Sequence, residues 1–389
     1  MTRPVLLVGF ALFVAMLGSN FPAPLYELYR ARFDSTTFAM TVVFATYPLA
    51  LIGTLLALAR LPDRLGRRPV LALGIVAAAI GSVLFATAHG VGALVAGRLW
   101  AAVAIGAVGA AGPPALVELD AQHDPRRAAL IATFALSLAC GVAPFLSGLL
   151  AAFTGSALVA PFVLHLALCA LAVAALAFVP ETRPERSVKD STAVVPALDP
   201  VARRAFIFAA LTSGIVWWLA SLFVSIVPAF VAALLGVHSL VLQGALALTL
   251  FVVSPLTQTL ARGVPDRVLV RAGTFATVIA LAALLGAVPV HAPALFAAGT
   301  VIAGVAHGLG FLGAQSVVNR VAPPAARARL SARFYALTYV CIGVPILIVG
   351  ALSSHVGLYA ALAVVAVPAA CAALLLAWQF PKSPVSYGR

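Results

Sequence analysis

Long apolar stretches alternate with short polar breaks along the whole chain, and twelve such stretches can be drawn. Each is close to the roughly 20 residues that a helix needs to cross the hydrocarbon core of a bilayer. They predict helices at residues 4–24, 37–59, 69–88, 91–117, 128–153, 158–179, 204–235, 240–262, 268–290, 293–319, 327–352 and 356–380. The pattern therefore predicts an all-α integral membrane protein with twelve transmembrane helices, numbered here in this order as predicted helices 1 to 12.

Composition agrees with this prediction and argues against an enzyme. The 389 residues are 63% hydrophobic and 9% charged, which leaves too few polar side chains to cover a water-soluble fold. The sequence has no nucleophile elbow GxSxG, no phosphate-binding P-loop and no zinc motif HExxH. Its four cysteines lie inside apolar stretches without a CxxC spacing. We therefore predict no catalytic activity, no metal site and no cofactor.

The positions of the basic residues predict the orientation in the membrane. With the N-terminus in the cytoplasm, 21 of the 24 Lys and Arg residues fall in cytoplasmic loops or termini, the three exceptions being Arg30, Arg32 and Arg98. This asymmetry follows the positive-inside rule and predicts that both termini are cytoplasmic. The net charge of +13 then reflects topology and anionic lipid headgroups, so no nucleic-acid partner is expected. Abundant alanine and arginine favour the plasma (inner) membrane of a bacterium.

The chain divides into two halves that resemble each other. The longest polar interval, 180–204, separates a predicted N-terminal six-helix bundle (1–179) from a C-terminal one (205–389) and is expected to be a cytoplasmic linker. The tripeptide Pro-Asp-Arg after predicted helix 2, at 62–64, recurs after predicted helix 8, at 265–267. Parallel six-helix repeats of this kind are one arrangement of secondary transporters.

The loop after predicted helix 2 resembles a signature of the major facilitator superfamily. The family pattern is G-x-L-a-D-R-x-G-R-R/K-x-x-L, and residues 59–71 read ARLPDRLGRRPVL. The residues that match it are Asp63, Arg64, Gly66, Arg67 and Arg68. The resemblance implies a charge cluster that gates the cytoplasmic side.

Elementary electrostatics adds expected partners for this loop. Asp63 is expected to face the positive end of another helix, and Arg67 to reach either Glu118 or Asp120. The alternative is a solvated basic loop that only sets topology.

Two weaker patterns point toward one branch of the family. Predicted helix 4 carries Arg98 followed by three glycines, and predicted helix 5 contains GVAPFLSG at 141–148. The second resembles an element of the proton antiporters, with Pro144 and Gly148 as the matching residues. The chain is thus most similar to the bacterial drug/metabolite:proton antiporter branch, although Ala143 and Ser147 replace two of that element's glycines.

Few ionisable residues lie within the predicted membrane span. Arg98 is the one clear intramembrane charge, and a lone arginine at that depth needs a partner. Glu27 and Asp34 are the nearest acids by topology, so we expect either a proton relay with Arg98 or a structural ion pair. His307, within GVAHGLGF, is a further proton-coupling candidate, because histidine titrates near neutral pH.

The family arrangement implies that predicted helices 1, 4, 7 and 10 line the substrate cavity. The polar and aromatic candidates there are Asn20, Trp217, Trp218 and Gln315. Adjacent Trp217 and Trp218 differ by about 100° around a helix, so only one of them can point fully inward. Such a lining is poor in acids and favours a neutral or amphiphilic compound, or a weak anion that binds Arg98.

These observations predict a secondary transporter working by alternating access. The expected activity is proton-coupled efflux of a small amphiphilic drug or metabolite. One alternative is uptake or facilitative transport of a nutrient such as a sugar or organic acid. An alternative of another class is a non-transporting membrane sensor or scaffold. The expected partners are a small-molecule substrate, protons and the lipid bilayer, with the chain acting as a monomer.

Overall fold

A computed structural model describes residues 2–182, 198–236, 238–323 and 327–380 of the chain. All regular structure in these ranges is helical. The α-helices are α1 (Arg3–Asn20), α2 (Tyr26–Arg32), α3 (Thr37–Leu58), α4 (Leu61–Leu65), α5 (Arg67–Ala86), α6 (Val91–Leu119), α7 (Pro125–Phe153), α8 (Ala160–Leu176), α9 (Pro200–Ser225), α10 (Val227–Leu235), α11 (Leu240–Leu260), α12 (Asp266–Gly286), α13 (Pro293–Val321), α14 (Arg327–Val356) and α15 (Leu358–Gln379).

Eleven helical segments in the described ranges are long and apolar enough to cross a membrane, with α1 and α2 counted together. The remaining one, predicted helix 6, is α8, which is apolar and has 17 residues. That length lies at the short end of what spans a bilayer. The prediction of an all-α membrane protein is confirmed.

Prolines break the first predicted helix of each half. The segment predicted as helix 1 (4–24) contains α1 and leads through a 3-10 turn at Ala23–Leu25 into α2, which lies beyond the predicted end, with Pro22 and Pro24 at the junction. Predicted helix 7 consists of α9 and α10, with Pro228 just inside α10. Proline cannot donate a backbone hydrogen bond and its ring clashes with the preceding turn, so a continuous helix is interrupted there.

The predicted linker 180–204 is shorter than expected at its second end. Helix α9 begins at Pro200, and Asp199 caps it by accepting a hydrogen bond from the Ala202 N–H at 2.9 Å. A side-chain oxygen at this position satisfies an N–H group that the helix itself cannot pair. Residues 183–197 of the linker lie outside the described residues.

Two compact units make up the chain. The first contains Met1–Ser187 together with His238–Leu248, and the second contains Val188–Val237 and Thr249–Arg389. The division resembles the two predicted halves, except that residues 238–248 belong to the first unit. The first part of α11 therefore packs with the N-terminal helices, which the hydropathy pattern does not indicate.

Candidate functional site

Arg67 lies between two carboxylates at the predicted cytoplasmic end of the first unit. Its Nη1 donates to Asp63 Oδ1 at 2.7 Å, and its Nη2 donates to Glu118 Oε1 at 3.3 Å. Asp63 belongs to the short helix α4 and Glu118 to the last turn of α6. The guanidinium therefore connects α4 to α6. Asp63 is therefore paired with Arg67. The sequence left Glu118 and Asp120 open as partners of Arg67, and in the structure Arg67 binds Glu118.

Glu181 is a member of this cluster that sequence reasoning missed. Its Oε1 accepts hydrogen bonds from the backbone N–H groups of Arg67 at 2.7 Å and of Arg68 at 3.4 Å. Helix α5 begins at Arg67 directly after Gly66, so no side chain of its own caps it. Glu181 supplies the missing acceptor from a distant part of the chain. The sequence signal for such a partner is the glycine before α5, because glycine has no side chain that could accept a hydrogen bond from the first N–H groups of the helix.

Gly66 makes this arrangement possible. Its φ of +99° lies in the region that favours glycine, and a Cβ at this position would lie 2.7 Å from the Glu181 carboxyl carbon. Both the backbone conformation and the approach of the carboxylate therefore exclude a side chain at position 66. The family signature places its glycine at this point in the loop.

The remaining residues of the predicted gate lie around this core. Asp120 is buried and binds Arg127, with 3.6 Å between Oδ1 and Nη1. Its Oδ2 accepts a hydrogen bond from the backbone N–H of Asp124, so Asp120 stabilises the turn between α6 and α7 and does not bind Arg67. Arg64 is exposed on α4, and Arg68 contributes its backbone N–H to Glu181.

The second unit has its own charge cluster at the repeated tripeptide. Asp266, in the first turn of α12, forms an ion pair with Arg320 at 2.6 Å. Its other carboxylate oxygen accepts a hydrogen bond from the Ser316 hydroxyl at 2.7 Å. Both partners lie near the end of α13. The cluster connects the start of α12 to the last turns of α13.

Arg98 is buried in the first unit within a cage of aromatic rings. Its Nη1 donates a hydrogen bond to the Ser19 carbonyl oxygen, and its Nε has no hydrogen-bond partner among the described residues. Four ring centroids lie 5.3–5.9 Å from the guanidinium carbon. The rings belong to Tyr26, Phe44, Tyr47 and Phe85. Cation–π attraction to the ring faces is strong in such a desolvated position.

The expected ion pair of Arg98 with Glu27 or Asp34 is not found among the described residues. Arg30, three residues after Glu27 in α2, donates hydrogen bonds from both Nε and Nη2 to Glu27 Oε1. Asp34 is exposed just beyond α2, with a φ of +46°. Residues three apart on a helix are neighbours, so Glu27 has a cation within one turn. Arg98 is instead stabilised by the aromatic rings.

Two buried histidines differ in how their nitrogens are bonded. His165 Nε2 donates to the Val14 carbonyl oxygen at 2.9 Å, and Nδ1 lies 2.6 Å from the Ser82 hydroxyl. His307 Nδ1 lies 2.7 Å from the Ser254 hydroxyl, whereas its Nε2 has no partner among the described residues. His165 is therefore satisfied locally, as expected for a structural residue, and His307 is not.

The two tryptophans of α9 have different surroundings. Trp218 is buried, whereas half-buried Trp217 packs edge-on against His307, with ring centroids 4.5 Å apart. Gln315 donates to the Tyr335 hydroxyl at 3.1 Å, and Asn20 donates to the Met16 carbonyl within α1 at 3.1 Å. The structure thus brings Trp217 and His307 together, and places Asn20 and Gln315 in separate hydrogen bonds.

The segment GVAPFLSG (141–148), called here the helix 5 element because it lies in predicted helix 5, is part of α7. It packs closely against the start of α11, in the same unit. A Cβ at Gly148 would overlap the Leu240 carbonyl, and one at Gly244 would lie 2.5 Å from the Pro144 carbonyl oxygen. Small residues at these positions allow the two backbones to approach. Pro144 and Gly148 therefore form a tight contact between α7 and α11.

Solved structures of membrane transporters share this fold. The crystal structure of a D-xylose-proton symporter matches with a TM-score of 0.80 at 17% identity, covering 98% of each chain. A bacterial homolog of the human lysosomal transporter Spinster, in an inward-facing and occupied conformation, matches with a TM-score of 0.79 at 15% identity, covering 99% of this chain and 98% of that one. A POT family transporter in complex with 5-aminolevulinic acid matches with a TM-score of 0.73 at 13% identity, covering 97% and 96%.

Sequence comparison assigns the family. Among curated protein sequences, none matches the chain significantly. The family profile described as Major Facilitator Superfamily matches residues 8–343, a range that includes both charge clusters, Arg98 and His307. Its fold supports secondary transport by alternating access, and its structural neighbours are transporters and not enzymes. The chain therefore belongs to the Major Facilitator Superfamily and is a multi-pass membrane protein.

Proposed function

We propose that this protein exports a small amphiphilic compound across a bacterial inner membrane in exchange for protons. The observation that carries the proposal is the character of the buried polar groups. Arg98 in the first unit and His307 in the second are each surrounded by aromatic rings, and no described carboxylate binds either of them. Surroundings of this kind suit a ligand with a large apolar surface and few polar groups.

Arg98 gives the first unit a buried positive charge without a matching acid. Its guanidinium stays protonated at any physiological pH, so it cannot release a proton itself. Its field can favour the deprotonated state of a nearby acid or bind an anionic group of the substrate. Either role makes transport sensitive to the loss of this charge.

The Arg67 cluster is the proposed cytoplasmic gate. Asp63, Glu118 and the backbone contact of Glu181 hold Arg67 in one position. A latch of this kind must break and re-form as the transporter alternates between its states. Neutralising Glu118 should therefore change the rate of transport more than the affinity for substrate.

The antiporter direction rests on the helix 5 element. The close contact that Pro144 and Gly148 make with α11 fits the small-residue pattern that resembles the proton antiporters. Uptake of a sugar or an organic acid is the second candidate. Similarity to a D-xylose-proton symporter and to a transporter in complex with 5-aminolevulinic acid favours it, as does a buried guanidinium able to bind a carboxylate.

The experiment that tests the proposal measures proton movement in proteoliposomes with a pH-sensitive dye inside. Amphiphilic drugs, sugars and organic acids are added separately to wild type, to Arg98→Gln and to Arg32→Gln. Arg32→Gln is the matched control, because it removes an exposed positive charge outside the aromatic cage. We expect amphiphilic compounds to drive proton flux in wild type and in the control, and Arg98→Gln to reduce it by about tenfold or more.

Other results would decide against the proposal. Proton flux driven by sugars or organic acids alone would favour uptake. Movement of drugs without a proton signal would exclude the antiport mechanism. Unchanged flux in Arg98→Gln would restrict Arg98 to a structural role.

A further inference from the structure

Glycines on α13 bring α11 close to His307. A Cβ at Gly304 would lie 2.8 Å from the Val253 Cβ, and one at Gly308 would lie 2.6 Å from the Ser254 carbonyl oxygen. Both glycines lie one turn apart on the face of α13 that contacts α11, and the lack of side chains allows backbone approach. This contact places the Ser254 hydroxyl 2.7 Å from His307 Nδ1.

The hydrogen bonds around Ser254 fit one proton position on His307. The Ser254 oxygen accepts a hydrogen bond from the Gln258 side-chain amide at 3.2 Å. When the Ser254 hydroxyl donates its hydrogen to His307 Nδ1, this nitrogen is the acceptor of the neutral ring. In a neutral imidazole the other nitrogen carries the hydrogen. In this tautomer His307 Nε2 is an N–H donor.

This donor is buried and has no hydrogen-bond partner among the described residues. His307 is 1% exposed, and its Nε2 is unpaired. Leaving a buried donor unpaired costs roughly 1–3 kcal/mol, so most proteins avoid it. His165 in the first unit shows the usual solution, since its Nε2–H donates to a carbonyl oxygen of α1.

Three aromatic rings pack around the imidazole of His307. Phe311 stacks on the imidazole with 5.8 Å between centroids, and Trp217 and Phe251 meet it edge-on at 4.5 Å and 6.0 Å. His307, Phe251 and Phe311 are buried, whereas Trp217 is half-buried. Trp217 is therefore the most accessible of the three rings.

Building on the proposed function, we infer that His307 and these three rings form a substrate-binding subsite for an aromatic compound that has a hydrogen-bond acceptor. The acceptor, such as a ketone oxygen, takes the Nε2 hydrogen, and the aromatic body packs between Trp217 and the two phenylalanines. The subsite selects a neutral acceptor, because no described cation or carboxylate contacts the ring. The substrate class is thus narrowed to neutral aromatic compounds with an acceptor.

A pair of fluorescent probes tests this inference by direct binding. Prodan is a naphthalene with a ketone and a dimethylamino group, and 2-dimethylaminonaphthalene lacks the ketone. Saturable binding of each probe to the full-length protein in nanodiscs is measured by probe emission and by quenching of tryptophan, with empty nanodiscs as the blank. Trp217→Phe identifies the part of the quenching that comes from the subsite.

Three variants distinguish the contribution of the N–H donor to binding from that of the surrounding rings. His307→Phe keeps an aromatic ring and removes the donor, so we expect prodan affinity to fall about tenfold while the ketone-free probe binds as before. His307→Gln retains an N–H donor and should recover part of the affinity. His165→Gln alters the histidine whose nitrogens are both bonded and should leave the preference for the ketone unchanged. Thermal unfolding and gel filtration show which variants remain folded.

Several outcomes would overturn the inference. Equal binding of both probes by wild type, no saturable binding of either, or equal prodan affinity in His307→Phe would each do so. In the last case the N–H donor is satisfied internally by a ring face. Failure of proton-coupled export is a separate result, because it is measured by flux: specific prodan binding without proton movement would contradict the proposed function and leave the subsite intact.

Discussion

The two units use the same helix contacts but place different polar groups between them. Helices α6 and α13 both have 29 residues, and the sixteenth residue of each is a glycine, Gly106 and Gly308. A Cβ at Gly106 would lie 2.7 Å from the Thr54 hydroxyl, and one at Gly308 would lie 2.8 Å from the Thr257 Cβ. Both threonines are the eighteenth residue of their helices, α3 and α11. The backbone packing of the repeat is thus the same at this point.

The side chains beside this contact differ. The eighth residue is Arg98 in α6 and Thr300 in α13, and the fifteenth is Ile105 in α6 and His307 in α13. Thr300 is buried and donates to the Phe296 carbonyl of its own helix. The first unit therefore holds a cation where the second holds a satisfied hydroxyl. The repeat therefore keeps the same helix packing in both units, while the buried polar side chains differ between them.

The charge clusters at the predicted cytoplasmic ends show the same contrast. In the first unit the acid Glu118 is at the end of α6 and the base Arg67 starts α5. In the second unit the base Arg320 is at the end of α13 and the acid Asp266 starts α12. Both clusters connect equivalent helices, with the signs of the charges exchanged.

The largest effect is expected from giving the second unit the cation of the first. Thr300→Arg would bury a guanidinium without the aromatic cage, since Leu250 occupies in α11 the position that Tyr47 has in α3. A buried unpaired charge costs several kcal/mol, so we expect monodisperse protein to fall at least about tenfold on gel filtration. The reverse change, Arg98→Thr, should lower the yield much less, because threonine can bond to its own helix. Equal yields would show that the cage does not stabilise Arg98.

Valine at either contact glycine should have a smaller and similar effect in the two units. Gly106→Val and Gly308→Val would each place a side chain against the backbone or side chain of the neighbouring helix. Overpacking of this kind costs about 1–3 kcal/mol, measured as a lower midpoint of thermal unfolding in detergent. Gly53→Val is the control, because no atom outside the neighbouring backbone of α3 lies within 4 Å of its Cβ position. Sharply different losses at the two glycines would contradict equivalent packing.

At the charge clusters we expect losses of similar or smaller size, and the two clusters should differ. Asp266→Asn weakens an ion pair whose carboxylate is 12% exposed and also hydrogen-bonded to Ser316, so a loss of roughly 1.5–3 kcal/mol is expected. Glu118→Gln weakens a longer contact at 31% exposure and should cost about 1 kcal/mol or less.

Unfolding of both variants at low and high salt measures the difference between the clusters. Only the Glu118 contribution should decrease clearly as salt screens it. A larger loss in Glu118→Gln than in Asp266→Asn would contradict the ranking.

Periodic features of the fold were predictable, and single long-range contacts were not. Hydropathy indicated the helices, and the repeated tripeptide indicated that Asp63 and Asp266 lie in equivalent loops. The partner of Arg98 was predicted wrongly because topology places Glu27 near it, whereas Arg30 is closer along the helix. Glu181 was missed because it lies 114 positions from Arg67 and no local spacing connects them. The length of an apolar stretch indicates whether it can span the bilayer. It does not indicate which distant residue accepts hydrogen bonds from the first N–H groups of a helix.

The bond between Glu181 and the start of α5 has a practical consequence for building hybrid transporters. Exchanging halves between relatives requires a junction, and hydropathy alone places it at residue 179, where the predicted N-terminal bundle ends. A junction there would separate the carboxylate from the helix that it caps. The first half must therefore extend at least through Glu181, and a hybrid joined beyond it should keep its native loop after α4.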